Sequence, residues 1–185
     1  MEDNTLRELY ISELQDLYDA EHQLIEALPK MAEASNSAQL RAGFEAHLQQ
    51  TRGHAERLER VFGSLGEEAK RKKCKAMKGL VAEGSEMIDE DFEGAVKDAG
   101  LIGAAQRVEH YEIAAYGTAR TFAEILGNQE GVSLLGQTLE EEKETDEKLS
   151  ELAETINVEA NGSAPGSKEV LGAISPKRKA KSAGR

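Results

Sequence analysis

Apolar residues recur at steps of three and four in four long stretches of the chain, the spacing that gathers them on one buried helical face, and each stripe is interrupted by an acid or an imidazole. The first stretch predicts a helix over Thr5–Ala34, capped by Asn4 or Thr5, with Leu6, Tyr10, Leu14, Leu17, Leu24 and Leu28 inward. Glu21 occupies the position between Leu17 and Leu24 where another Leu would be expected. Pro29 should bend the helix or end its regular part near Leu28, and Ser35, Asn36 and Ser37 form a tight turn. A second helix over Ala38–Phe62 has Leu40, Phe44, Leu58 and Phe62 as anchors, with His47, Thr51 and His54 on the same face. Gly43 and Gly53, each costing about 1 kcal/mol against Ala inside a helix, suggest close helix packing or room for a bulky neighbour.

A long connection follows, from Gly63 to Gly100. Met77, Leu80, Val81, Met87, Ile88 and Phe92 keep helical spacing within it, so one shorter amphipathic helix should lie across the others. The third long stripe, Leu101 to Leu126, comprises Leu101, Ile102, Ala105, Val108, Tyr116, Ala119, Phe122 and Leu126, with Glu109 and Glu112 on the same face three residues apart. Gly127 and Asn128 mark its end. The last helix, Val132–Ile156, turns Val132, Leu135, Leu139, Leu149, Leu152 and Ile156 inward, and Glu142 and Asp146 complete its stripe. Beyond Asn157 the periodicity stops, so residues 1–157 are expected to form one helical domain and 158–185 a disordered basic tail.

Short turns make antiparallel hairpins, whereas a connection as long as 63–100 can travel the length of a helix pair. The expected fold is therefore all-α: two hairpins joined by one crossover, a ferritin-like four-helix bundle with an extra shorter helix in the long connection. In that topology Glu21, His47, His54, Glu109, Glu112, Glu142 and Asp146 fall within roughly 12 Å of one another along the bundle axis. Buried carboxylates without partners cost several kcal/mol each, so cations must join them or they must protonate. Carboxylates and imidazoles on facing helices are how a bundle builds a two-metal site, and hard oxygen ligands favour iron or manganese. A buried salt-bridge network is the competing explanation; Arg107 and Arg120 flank the stripe, but no Lys or Arg lies among the acids.

Composition supports helix, with 3 Pro, 4% aromatic and 31% charged residues. The net charge of -12 argues against nucleic-acid binding; the tail from Val158 carries +4, leaving -16 on the first 157 residues. A single Cys and an acidic N-terminus without the basic and apolar regions of a signal peptide lead us to expect a cytoplasmic protein, and no apolar run is long enough to span a membrane. Cys74 lies among Arg71, Lys72, Lys73 and Lys75, which favour a thiolate, although without a second Cys an inert thiol is the simpler expectation. Tyr10 and Tyr116 are expected as core aromatics, and His22 and His110 as members of a solvated face.

Four segments in order, Leu14–Met31 (LQDLYDAEHQLIEALPKM), His47–Phe62 (HLQQTRGHAERLERVF), Asp98–Gly117 (DAGLIGAAQRVEHYEIAAYG) and Leu134–Leu149 (LLGQTLEEEKETDEKL), resemble the YciF/YciE-like bacterial stress proteins of the ferritin-like superfamily. The resemblance spans about Leu6 to Ala153 and implies a four-helix ferritin-like fold, a homodimer and expression under stress. Set beside rubrerythrin-like di-iron ligands, it matches Glu21, Glu109, Glu112 and Glu142. The usual Glu-x-x-His of the second helix appears as Thr51-x-x-His54, and Thr145 stands where a His would follow Glu142; His47 and Asp146 are the candidates to compensate. The resemblance itself establishes no activity; with the polar cluster it leads us to expect that, if the site is active, its chemistry is ferrous oxidation or peroxide consumption at paired metals, the alternative being a non-catalytic dimeric scaffold or binding module.

Overall fold

In the computed structural model, which describes residues 5–162, five helices follow one another: α1 (Leu6–Ala34), α2 (Ala38–Ser64), α3 (Lys75–Asp89), α4 (Gly94–Ile125) and α5 (Gln129–Ala160). There is no strand among the described residues. α1 packs along α2 and α4 along α5; the two hairpins meet through α1 with α4 and α2 with α5, while α3 lies against α1 and α4.

Local chemistry sets the ends of these helices. Thr5 caps α1 in a reciprocal box with Glu8, each side chain accepting the other's backbone N–H. At the C-termini of α2 and α4 the chain turns through Gly66 (φ 70°) and Gly127 (φ 73°), conformations that favour glycine. Glu67 N–H then donates to the Phe62 carbonyl at 3.0 Å and Asn128 N–H to the Ala123 carbonyl at 2.9 Å, satisfying carbonyls the helices leave open. Asn128 in turn caps α5, its side chain accepting from Gly131 N–H at 2.9 Å and from Ser64 Oγ at 3.2 Å. Gly131 has no room for a side chain, since a Cβ there would stand 2.6 Å from the Tyr10 hydroxyl.

The crossover runs the length of the bundle. Ser64 and Asn128 meet at one end; at the other the Asp98 carboxylate, near the start of α4, accepts the backbone N–H groups of Asn36 (2.8 Å) and Ser37 (2.7 Å) in the α1–α2 turn. Between them the chain is pinned along α1: Lys72 N–H donates to the Gln15 carbonyl, Arg71 pairs with Asp19 at 2.9 Å, and Cys74 N–H donates to Asp19 at 2.9 Å. Lys97, itself buried, donates to the Ile88 and Glu90 carbonyls at 2.6 Å and so closes the end of α3.

Several expectations are corrected. α4 begins seven residues before Leu101, because Asp98 and Lys97 anchor its first turns. α3 ends at Asp89, and Phe92 is exposed in the loop rather than part of its face. α1 reaches Ala34 as expected, and of the two effects expected of Pro29 an end near Leu28 does not occur. α5 runs on to Ala160, past the end of its apolar pattern; of the expected tail, residues 163–185 lie outside the described ones. Gly43 and Gly53 have nothing within 4 Å of where a Cβ would be, so neither marks a close helix approach.

The buried apolar side chains form two clusters. One joins Leu24, Leu28, Phe44, Met77, Ile102 and Ile156 near the α1–α2 turn; the other joins Tyr10, Leu14, Leu58, Phe62, Tyr116 and Leu135 near the opposite end. Full burial of each such side chain is worth about 1.5–3 kcal/mol, which is what allows a polar layer to be held between them.

Candidate metal centre

That polar layer consists of Glu21 from α1, His47, Thr51 and His54 from α2, Glu109 and Glu112 from α4, and Glu142 and Thr145 from α5, all buried. Helical periodicity explains their convergence. Residues 47, 51 and 54 fall on one face of α2, and 109 and 112 on one face of α4.

Ligand atoms of His47, Glu109, Glu112 and Glu142 lie within 4.8 Å of one another, and so do those of Glu21, His54 and Glu142. The two groups share Glu142. His54 Nδ1 is 2.9 Å from Glu142 Oε1 and 3.6 Å from Glu21 Oε2, while His47 Nε2 is 3.5 Å from Glu109 Oε1 and 3.7 Å from Glu142 Oε2. Although the shortest of these is a hydrogen-bond distance, neither His54 Nδ1 nor the Glu142 oxygens make a well-directed hydrogen bond. His47 Nε2, Glu21 Oε2, Glu109 Oε2 and both oxygens of Glu112 are likewise buried without a partner. Buried polar groups are ordinarily satisfied, so this convergence of bare nitrogen and oxygen donors fits a cation or a pair of cations.

The other faces of these ligands are satisfied. His54 Nε2 lies 2.8 Å from Glu141 Oε2, and Glu141 is held by two contacts to Arg57 at 2.8 and 2.7 Å. Thr145 Oγ1 donates to the Glu141 carbonyl at 3.0 Å, which leaves its oxygen to accept from His47 Nδ1 at 3.4 Å and turns a bare Nε2 toward the layer. The Tyr116 hydroxyl donates to Glu21 Oε1.

Electrostatics follow from this geometry. Burial, reinforced by the charge of Glu142, holds Glu109 and Glu112 well above the usual carboxylate range. Burial also opposes the charged form of Glu142, but His54 and His47 outweigh it and hold its carboxyl low. For His54 burial alone would lower the imidazole, yet Glu142 and Glu21 raise it to about 11. Without metal, then, the surroundings favour the charged forms of His54 and Glu142 and oppose those of Glu109 and Glu112.

Of the seven residues singled out from the sequence, six meet here: Glu21, His47, His54, Glu109, Glu112 and Glu142. Asp146 does not join them. It is partly exposed, with Gln106 Nε2 at 3.3 Å from one oxygen and His110 Nε2 at 3.3 Å from the other, because four residues past Glu142 the helix face has rotated toward solvent. Arg107 and Arg120 are exposed rather than paired with the buried acids. Tyr116 is core but also fixes Glu21, a role its place four residues after Glu112 could have suggested. Glu141 and Arg57 were missed; the only signal was Glu141 standing beside Glu142 in a run of three Glu, with Arg57 three residues after His54. Cys74 is buried, burial pushes its thiol up, and it contacts the Tyr111 hydroxyl at 3.1 Å. Arg71 and Lys72 turn away to Asp19 and Ser12 and do not activate it.

The sequence profile of a domain of unknown function, DUF892, matches residues 5–161. The chain belongs to the DUF892 family. Protein YciF of Escherichia coli strain K12 is 47% identical over 162 residues, covering 86% of this chain and 98% of YciF. The crystal structure of that E. coli stress protein superposes with a TM-score of 0.81 over 83% of this chain and 98% of its own. YcfI from Rhodopseudomonas palustris matches at 40% identity and a TM-score of 0.78, covering 80% of this chain and 95% of that one. A protein from Xanthomonas campestris pv. campestris, 23% identical with a TM-score of 0.68 over 85% of this chain and 97% of its own, shares the fold. This DUF892 chain thus has the all-α architecture of YciF and a buried His/Glu cluster that can hold metal. Among its described residues no helix is long and apolar enough to cross a membrane.

Proposed function

We propose that this chain is a stress-response protein of the YciF kind whose polar layer binds two metal ions, iron or manganese, and which acts as a cytoplasmic homodimer. One observation carries the metal reading: two groups of buried, partnerless ligands that share Glu142. His47, Glu109 and Glu112 would hold one ion, Glu21 and His54 the other, with Glu142 between them. Two divalent ions bound there would be the electron donors, each giving one electron to an oxidant such as a peroxide, so that the pair is oxidised while the peroxide is reduced to water. The chain's own part is to orient and to exclude water. Glu141 holds the ring of His54, Thr145 that of His47 and Tyr116 the carboxylate of Glu21, while apolar clusters above and below keep the layer dry.

Metal analysis of protein purified without chelators, beside the Glu109→Ala, Glu112→Ala double variant, tests this. The expected result is iron or manganese in the parent protein and its loss in the variant; equally metal-free preparations contradict it. The His54–Glu141–Arg57 chain favours a second reading, a non-catalytic scaffold whose layer is neutralised by ion pairs and protonated acids. In that case added iron or manganese leaves the Tm unchanged, whereas a specific site raises it by mass action.

A further inference from the structure

The bare donors of the polar layer are sealed from solvent, so any ion that reaches them must pass a wall of helix. α3 is the thinnest part of that wall. Of its 15 residues only Met77 and Gly84 are buried, and it packs chiefly on α1 and α4. Its two halves are held differently. The N-terminal half is rooted, since Cys74, its cap, gives its backbone N–H to Asp19 at 2.9 Å and Met77 is fully buried. The C-terminal half roofs a cavity of about 150 Å³ between α1 and α4, which Leu80, Val81, Gly84, Ser85 and Ile88 line from above. At its inner end this cavity stops at the side chains of His47 and Glu109. The fastenings of the C-terminal half come from α4. The buried Lys97 ammonium donates to the Ile88 and Glu90 carbonyls at 2.6 Å, and Met87 lies so closely over Gly100 that a Cβ there would collide with its sulfur.

We propose that the C-terminal half of α3 is a hinged door to the polar layer: it swings on Cys74 and Met77, Lys97 latches it, and cations enter beneath it. What passes rests on reading the layer as a metal site, whereas the opening itself does not. A helical segment with few buried apolar contacts opens locally at small cost, while the bundle around it stays folded. The void lowers that cost further, because side chains facing empty space have no contacts there to lose. The latch sits at the free end of the door, where one charged donor holds the carbonyls of Ile88 and Glu90, and removing it frees the half of α3 that covers His47 and Glu109. A smaller cavity of about 90 Å³ between α2 and α5 also ends on these two side chains, but its walls are long helices anchored by the buried Phe44 and Leu149.

Hydrogen exchange of the full chain, compared between the parent and Lys97→Met, tests this, because Met keeps the apolar stem and removes the donor. Amides of residues 80–89 should exchange about tenfold faster or more, the factor expected from losing hydrogen bonds to a charged donor, while those of α1, α2 and α5 keep their rates. In metal-free protein, diethyl pyrocarbonate, which acylates imidazole nitrogen, should modify His47 faster by a similar factor. Cys74, at the hinge, should stay as unreactive toward iodoacetamide as in the parent. Met87→Ala, which removes the other fastening from α3 itself, is the second variant should Lys97→Met fold poorly, and it is expected to act in the same direction. Exchange of residues 80–89 unchanged in a folded variant, His47 modified no faster, or Cys74 exposed together with His47 overturns the proposal. Manganese uptake by the same proteins separates the door from the metal. Protein that takes up none, yet opens at α3 and exposes His47, leaves the door standing and removes the metal reading; protein that takes it up equally fast with and without the latch keeps the metal reading and overturns the door.

Discussion

Asp19 and Glu112 are both buried carboxylates of long bundle helices, 7% and 0% exposed, and they differ in what surrounds them. Asp19 receives the Cys74 backbone N–H, the Gln23 amide at 2.7 Å and the Arg71 guanidinium at 2.9 Å; these outweigh the effect of burial and hold its carboxyl below the ordinary range. Glu112 receives nothing, and burial together with the charges of Glu142 and Glu21 holds its carboxyl well above that range. A carboxylate kept for architecture is built with its donors, as Asp98 is in pinning the α1–α2 turn. One built without donors has a use for its free oxygens, and in the polar layer the use we propose is cation binding.

The contrast can be broken most sharply at Asp19. Asp19→Ala strips three donors of their acceptor and unpins the crossover, and should cost about 2–3 kcal/mol, read as a lower urea midpoint. A loss no larger than that of an ordinary surface substitution would show that the crossover does not depend on it.

Glu112→Gln in metal-free protein should have a smaller effect and one that depends on pH. Unfolded, Glu112 ionises near its ordinary value of 4.5, whereas the folded layer keeps the proton. Wild-type stability from this group is therefore full below about pH 4.5 and declines as pH rises toward the raised folded value, while glutamine has no proton to lose. Melting both proteins from pH 5 to pH 8 should show the variant gaining on the parent, and parallel curves would contradict the elevated carboxyl.

A loss of about 1 kcal/mol without metal is expected for Tyr116→Phe, because Glu21 then loses its one hydrogen bond. Smallest in its effect on stability is the reactivity of Cys74. Buried, with its thiol pushed up, it should resist alkylation in native protein and react readily in urea; rapid native labelling would mean that the basic run does activate it.

The four long helices and the shorter one in the crossover were legible because their apolar residues keep helical period, in the long helices on both sides of the polar positions, and the polar layer because its residues fall on those stripes. The start of α4 was not, since it depends on Asp98 meeting backbone N–H groups some sixty residues away, which no local pattern records. The misplacement of Asp146 has the same origin: positions four apart share a face only approximately, and the residual rotation carries Asp146 to the edge where His110 meets it. Glu141 shows the converse, a residue off the stripe that touches the site because its side chain reaches back to His54. Bundle periodicity thus reveals which residues face inward, and only the assembled structure shows which are held and which are left bare.

The central claim is that the bare donors around Glu142 hold two cations. Anomalous diffraction from crystals soaked in manganese tests it most directly. Two peaks are expected, one among His47, Glu109, Glu112 and Glu142 and one among Glu21, His54 and Glu142; a layer without peaks, its carboxyls hydrogen-bonded to one another and to the imidazoles, would contradict it.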